Sequence, residues 1–143
     1  MKNAFQNVEK PISRSSIRKY VGKKYFILKR KIKWIFDANK YSKVNKSIDL
    51  PFSIVQHKSF LLRPLKNVEM YLQHNKVVNL QLAISKINGV IIQPGVVFSI
   101  WKLVGKTSSK KGYLEGLTLE NGQISKGIGG GLCQLGNLLY WMT

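Results

Sequence analysis

The sequence predicts an α+β fold, on three observations. Apolar residues recur at three- and four-residue steps over positions 17–35 and again over 135–142, the pattern of helices with one buried face. Between them lie short β-branched runs broken by Asn-Gly and Pro-Gly pairs, the pattern of strands joined by tight turns. A glycine-rich stretch, residues 127–131, then carries the chain into its last helix. The chain has 143 residues, 44% of them hydrophobic, which suits one folded domain and not a disordered segment.

We place a boundary near residue 49. Residues 1–49 read as a basic helical extension with a linker, and residues 50–143 as the folded part. Residues 13–45 hold eleven basic side chains against one acid, Asp37, and supply much of the net charge of +18. Ile17, Val21, Tyr25, Leu28, Ile32 and Ile35 form the helical stripe, with Ser13, Ser15 and Ser16 as candidate caps. Such a helix can dock on its own domain, lie on an anionic membrane surface, or bind nucleic acid. No recognition helix, zinc-finger spacing or stacking-aromatic motif accompanies the charge, which argues against nucleic acid. Residues 41–49 are polar and read as linker.

Pro51 opens a β-branched and aromatic segment, residues 52–63, expected to be extended. Asn67 is placed to cap a short helix to about Asn75, and Asn79 to cap or extend a second one reaching Ile87. Asn88-Gly89 turns the chain. Val90-Ile91-Ile92 and Val96-Val97-Phe98 read as two strands around the Gln93-Pro94-Gly95 turn. Ser99, beside Trp101, could carry a hydroxyl toward the site; the expectation is a strand end with the hydroxyl bonded locally. Residues 107–112 form a polar loop, residues 117–120 a strand, and Asn121-Gly122 a tight turn. Residues 123–126 lead into the glycines. Glu115 is expected to pair with Lys110 or Lys111.

The last eighteen residues hold the single cysteine and five of the twelve glycines. Cys133 falls in the first turn of a helix whose inner stripe is Leu135, Leu138, Leu139 and Met142. Unpaired N–H groups and the positive end of the helix dipole there favour an anion, and so favour a thiolate over a thiol. A lone cysteine also serves as a small buried hydrophobe. The P-loop fingerprint fails, because no Gly-Lys-[Ser/Thr] follows the glycines. His57 and His74 are the only histidines, and neither is an evident base for the thiol. The chain stops at Thr143 with no capping residue, which reads as a fragment.

Gly129-Gly130-Gly131-Leu132-Cys133-Gln134-Leu135, followed by Asn137-Leu138-Leu139-Tyr140-Trp141, resembles the signature of the VanW-like family. Pro94-Gly95-Val96-Val97-Phe98-Ser99, Trp101-Lys102-Leu103-Val104-Gly105 and Gly112-Tyr113 match it upstream. Weaker matches at Leu72-Gln73 and Asn79-Leu80 carry the likeness back to about Leu50. Val96 stands where the family usually has an acidic residue, and Gly136 where it has a serine. The resemblance implies a link to glycopeptide resistance and the bacterial cell envelope. It also implies an Arg-x-x-His-Ser type segment downstream of the cysteine, beyond residue 143.

Two functions follow. In the first, Cys133 is the nucleophile of an amidase or acyl transferase acting on a cell-wall peptide precursor. Backbone N–H groups from Gly130 to Gln134, with Gly129 beside them and the Gln134 side chain as a further donor, then hold the oxyanion, and the base lies past residue 143. In the second, the glycine loop binds a carboxylate or phosphate without chemistry. One cysteine and two scattered histidines give no metal-ligand spacing, and no cofactor motif is present. No run of about 18 apolar residues is present to cross a membrane, so the expectation is a cytoplasmic protein, with residues 13–45 able to meet an anionic membrane surface.

Overall fold

The computed structural model describes residues 14–37, 40–44, 51–64, 68–120 and 122–142. It has the mixed α+β architecture, with four α-helices and two two-stranded antiparallel sheets among the described residues. The chain divides into two compact units, Met1–Ala38 and Asn39–Thr143.

The described residues of the first unit hold one helix, α1 (Ser16–Phe36), 21 residues long. Of the candidate caps, Ser15 takes the position: its side chain accepts from the Arg18 N–H at 3.4 Å. No residue of α1 is buried.

The second unit is built around α2 (Met70–Ile87). The sequence divides this span into two helices at Asn79, but it is continuous, because Asn79 spends its side chain on tertiary contacts and not on a cap. Glu69 is the N-cap residue, and Asn67 lies outside the described residues. Leu80 and Ala83 bring the buried face of α2 to Val104, Tyr113 and Leu135, with Leu82, Ile87, Ile100, Leu132 and Leu139 packed around them. This small core draws on four separate stretches of chain, so it fixes their mutual placement.

Asn88-Gly89 turns the chain into β2 (Val90–Ile91), with Gly89 at φ 80°. That strand does not pair with residues 96–98, the run read as a second strand across the turn. Strand β2 pairs instead with β1 (Lys43–Val44), Lys43 opposite Ile91 and Val44 opposite Val90. Val97 joins the same stretch: Ser42 N–H donates to the Val97 carbonyl at 3.1 Å, and Val97 N–H to that of Lys40 at 2.7 Å. Residues 41–44, read from sequence as linker, are thus paired backbone of the second unit. Residues 45–49 of that linker lie outside the described residues. The Pro94-Gly95 turn does form, with Val96 N–H donating to Gln93 at 3.1 Å and Gly95 at φ 78°.

Residues 99–104, expected to begin at a strand end, hold a short helix, α3 (Ile100–Val104), with Ser99 as its N-cap residue. Beyond a 3-10 turn at Ser109–Lys111 comes the hairpin of β3 (Glu115–Glu120) and β4 (Gln123–Ile128). Its register runs from Glu120 opposite Gln123 to Glu115 opposite Ile128. Gly122 at φ 79° supplies the left-handed turn conformation, while Asn121 lies outside the described residues. Residues 123–126 are therefore strand and not a crossing segment. Glu115 makes no ion pair with Lys110 or Lys111 among the described residues; its carbonyl accepts from Asn75 Nδ2 at 2.8 Å. The chain enters α4 (Cys133–Met142) directly after the glycines.

Candidate functional site

Asn79 holds the site together. It lies in the middle of α2 with 0% exposure. Its Nδ2 donates to the carbonyl oxygens of Leu114 and Gly130, both at 3.0 Å, and its Oδ1 accepts from the Leu114 N–H at 2.8 Å. One amide thus ties helix α2 to the residue that leads into β3 and to the glycine loop, with both N–H donors and the oxygen used. An asparagine between Val78 and Leu80, mid-helix, is the sequence signal for such a role, since it is a poor interior residue without a partner.

The glycines answer to close approach. A Cβ on Gly130 would lie 2.2 Å from the Gly116 carbonyl carbon, so the loop backbone lies directly on β3. A Cβ on Gly131, at φ +89°, would lie 2.2 Å from Lys76 Cγ, so the lysine stem runs against the loop. The loop N–H groups are already committed. Gly129 donates to Leu114 at 2.9 Å, Gly130 to Gly127 at 3.0 Å, Gly131 to Leu117 at 2.8 Å and Gln134 to Gly131 at 3.1 Å. The N–H groups of Leu132 and Cys133 have no backbone partner among the described residues.

Cys133 is exposed and unbridged. Its thiol lines a cleft of about 470 Å³. Arg63 and Lys76 give the cleft its cationic side, His57, Ser59, Gln134 and Asn137 its other polar groups, and Phe60, Leu138 and Trp141 its apolar wall. No carboxylate lines it among the described residues. Burial, first, and the Arg63 charge, second, hold the Lys76 ammonium below the usual lysine range, while Cys133 pulls it the other way.

The far wall is residues 51–64, which form no strand despite their β-branched content. Helix contacts hold them instead. Gln134 Nε2 donates to Ser59 Oγ at 3.1 Å and to the Phe60 carbonyl at 3.3 Å, and Lys76 Nζ donates to the Leu61 carbonyl. Gln134 is therefore spent on the wall and is not a free donor. His57, set aside from its sequence surroundings, shares the cleft with Cys133. His74 does not line it, and neither does Ser99. No group of three or more His, Cys, Asp or Glu side chains able to hold a metal occurs among the described residues.

The residues that build the glycine loop, the asparagine clamp and the cysteine at the start of α4 lie within residues 75–143, which match the family described as VanW like protein. The chain is similar to the Vancomycin B-type resistance protein VanW of Enterococcus faecalis (strain ATCC 700802 / V583), 37% identical over 107 residues. That alignment covers 75% of this chain and 39% of the relative. It is also similar to the uncharacterized protein YoaR of Bacillus subtilis (strain 168), 32% identical over 62 residues, covering 43% of this chain and 20% of the relative. The chain thus spans well under half of either relative. No solved structure matches it. The family match takes in Lys76, Asn79, the hairpin, the glycines and Cys133, and begins after His57 and Arg63.

Proposed function

We propose that the cleft takes the carboxylate-bearing end of a cell-wall peptide precursor and that Cys133 attacks an amide or ester carbonyl of it. The observation that carries this reading is the exposed Cys133 thiol in one cleft with His57, Arg63 and Lys76 and without a carboxylate. Two fixed cations favour an anionic ligand, and an imidazole within the same cleft is the residue type that takes a thiol proton. The resistance named for the Enterococcus relative supports a substrate in the cell envelope.

The step is a thiol acyl transfer. His57 takes the thiol proton, the Cys133 sulfur bonds to the carbonyl carbon, and the carbon–nitrogen or carbon–oxygen bond breaks. The leaving group carries away the proton from His57, and water or an amine then releases the acyl group. With the N–H groups of Gly129, Gly130 and Gly131 committed, the oxyanion donors in this reading are those of Leu132 and Cys133.

The test uses peptides with a free C-terminal carboxylate, their amidated counterparts, and an activated peptidyl thioester. The carboxylate peptide should slow iodoacetamide labelling of Cys133 and the amidated one should not. The thioester should leave an acyl group on Cys133, seen by mass spectrometry, and Cys133→Ala and His57→Gln should each abolish it. Protection without acylation supports a second reading, a module that only binds, with Arg63 and Lys76 holding the anion. Neither protection nor acylation removes both.

A further inference from the structure

We propose that α1 is an interfacial helix that lies on an anionic lipid surface, with its apolar stripe in the acyl boundary and its basic side chains among the headgroups. The helix is continuous over 21 residues, and none of them is buried. At 3.6 residues per turn, Ile17, Val21, Tyr25, Leu28, Ile32 and Ile35 fall within an arc of about 80°. All six are exposed, from 45% at Ile32 to 78% at Ile17. Lys24 and Lys31 run along one edge of that arc, and Arg18 and Lys29 along the other. Eight basic side chains and no acidic one lie between Ser16 and Phe36.

Charge decides among the possible covers for the stripe. The rest of the chain offers little countercharge, since residues 39–143 hold thirteen basic and four acidic side chains. A second copy, packed stripe to stripe, would bring the lysine and arginine edges of two helices together with no acid between them. Nucleic acid supplies countercharge but no cover for an apolar arc of about 80°. An anionic lipid surface supplies both, and flanking lysines reach its headgroups while their stems lie over the acyl boundary. The helix does not span: no helix among the described residues is long and apolar enough to cross a membrane.

The experiment is co-sedimentation of the full chain with vesicles of pure phosphatidylcholine and of phosphatidylcholine mixed equally with phosphatidylglycerol. Binding to the anionic vesicles should exceed binding to the neutral ones by about ten-fold or more. It should fall as salt rises from about 0.1 M to about 1 M, where the screening length shrinks from about 10 Å to about 3 Å. Two variants separate the components. Lys24→Glu with Lys29→Glu and Lys31→Glu removes the charge, and Leu28→Ser with Ile32→Ser removes the stripe. Each should lose the anionic binding while Cys133 labels at the wild-type rate, which shows that the second unit is intact. Equal binding to both vesicles, or to neither, overturns the proposal. So does anionic binding that survives the loss of the stripe, which would mean attraction to any polyanion; a short duplex DNA competing equally well would identify that case. A concentration-dependent dimer that the stripe variant abolishes, without vesicle binding, would assign the face to a second copy instead.

Discussion

Replacing Asn79 with alanine removes the clamp between α2, the Tyr113-Leu114 stretch and the glycine loop. Three hydrogen bonds of 2.8–3.0 Å are lost, and the site is fully buried, so water cannot replace them. At about 1–1.5 kcal/mol for each bond, with partners left unsatisfied, the expected loss is roughly 3–5 kcal/mol. Against a domain stability of about 5–15 kcal/mol, that is a large fraction. Urea unfolding followed by tyrosine and tryptophan fluorescence reads it directly. With a slope near 1.5 kcal/mol/M, the midpoint should fall by about 2–3 M. Asn75→Ala is the control, since its amide makes one exposed bond to the Glu115 carbonyl; it should cost about 1 kcal/mol or less. Asn79→Asp keeps the acceptor but turns a carboxylate toward two carbonyl oxygens. It should be at least as damaging at neutral pH and should recover in part as the pH falls and the carboxyl is protonated. A stability loss of less than about 1 kcal/mol for Asn79→Ala would refute the clamp.

Glycine substitutions should split by sign. Gly130→Ala drives a Cβ into the Gly116 backbone and should destabilise the hairpin and slow or scramble Cys133 labelling, whereas Gly136→Ala, mid-helix in open space, should stabilise by about 0.5–1 kcal/mol in thermal unfolding. Lys76 gives a pH signature. Its folded pKa is lowered, so the protonated form is disfavoured in the fold at all pH below that value, and stability should rise with pH between the folded and the higher unfolded value. Lys76→Met should flatten that alkaline rise, and an unchanged slope would contradict the burial of Lys76. Gln134→Leu frees residues 59–60 from α4, and amide exchange over residues 51–64 should quicken while exchange in α2 stays unchanged.

What the sequence determined by itself was local. The stripe and serine cap of α1 depend on neighbours three and four positions away. The Gly122 and Gly95 turns depend on one residue's freedom at positive φ, and the entry into α4 on glycines followed by an apolar period. Each is decided within one or two turns of chain, so residue order suffices. The tertiary structure decided the rest, because backbone groups and amides choose partners that sequence spacing does not rank. Val90–Ile91 took residues 43–44 and not the nearer run at 96–98. Asn79, a capping type by composition, was claimed by Leu114 and Gly130, 35 and 51 positions away. The glycine N–H groups, free by the look of a loop, were taken up by the carbonyls of Leu114, Gly127 and Leu117, and Gln134 was taken up by Ser59 and Phe60. His57 stands in a cationic stretch that says nothing of Cys133, 76 positions later. Only the folding of residues 51–64 against α4 and Lys76 brings the imidazole and the thiol into one cleft.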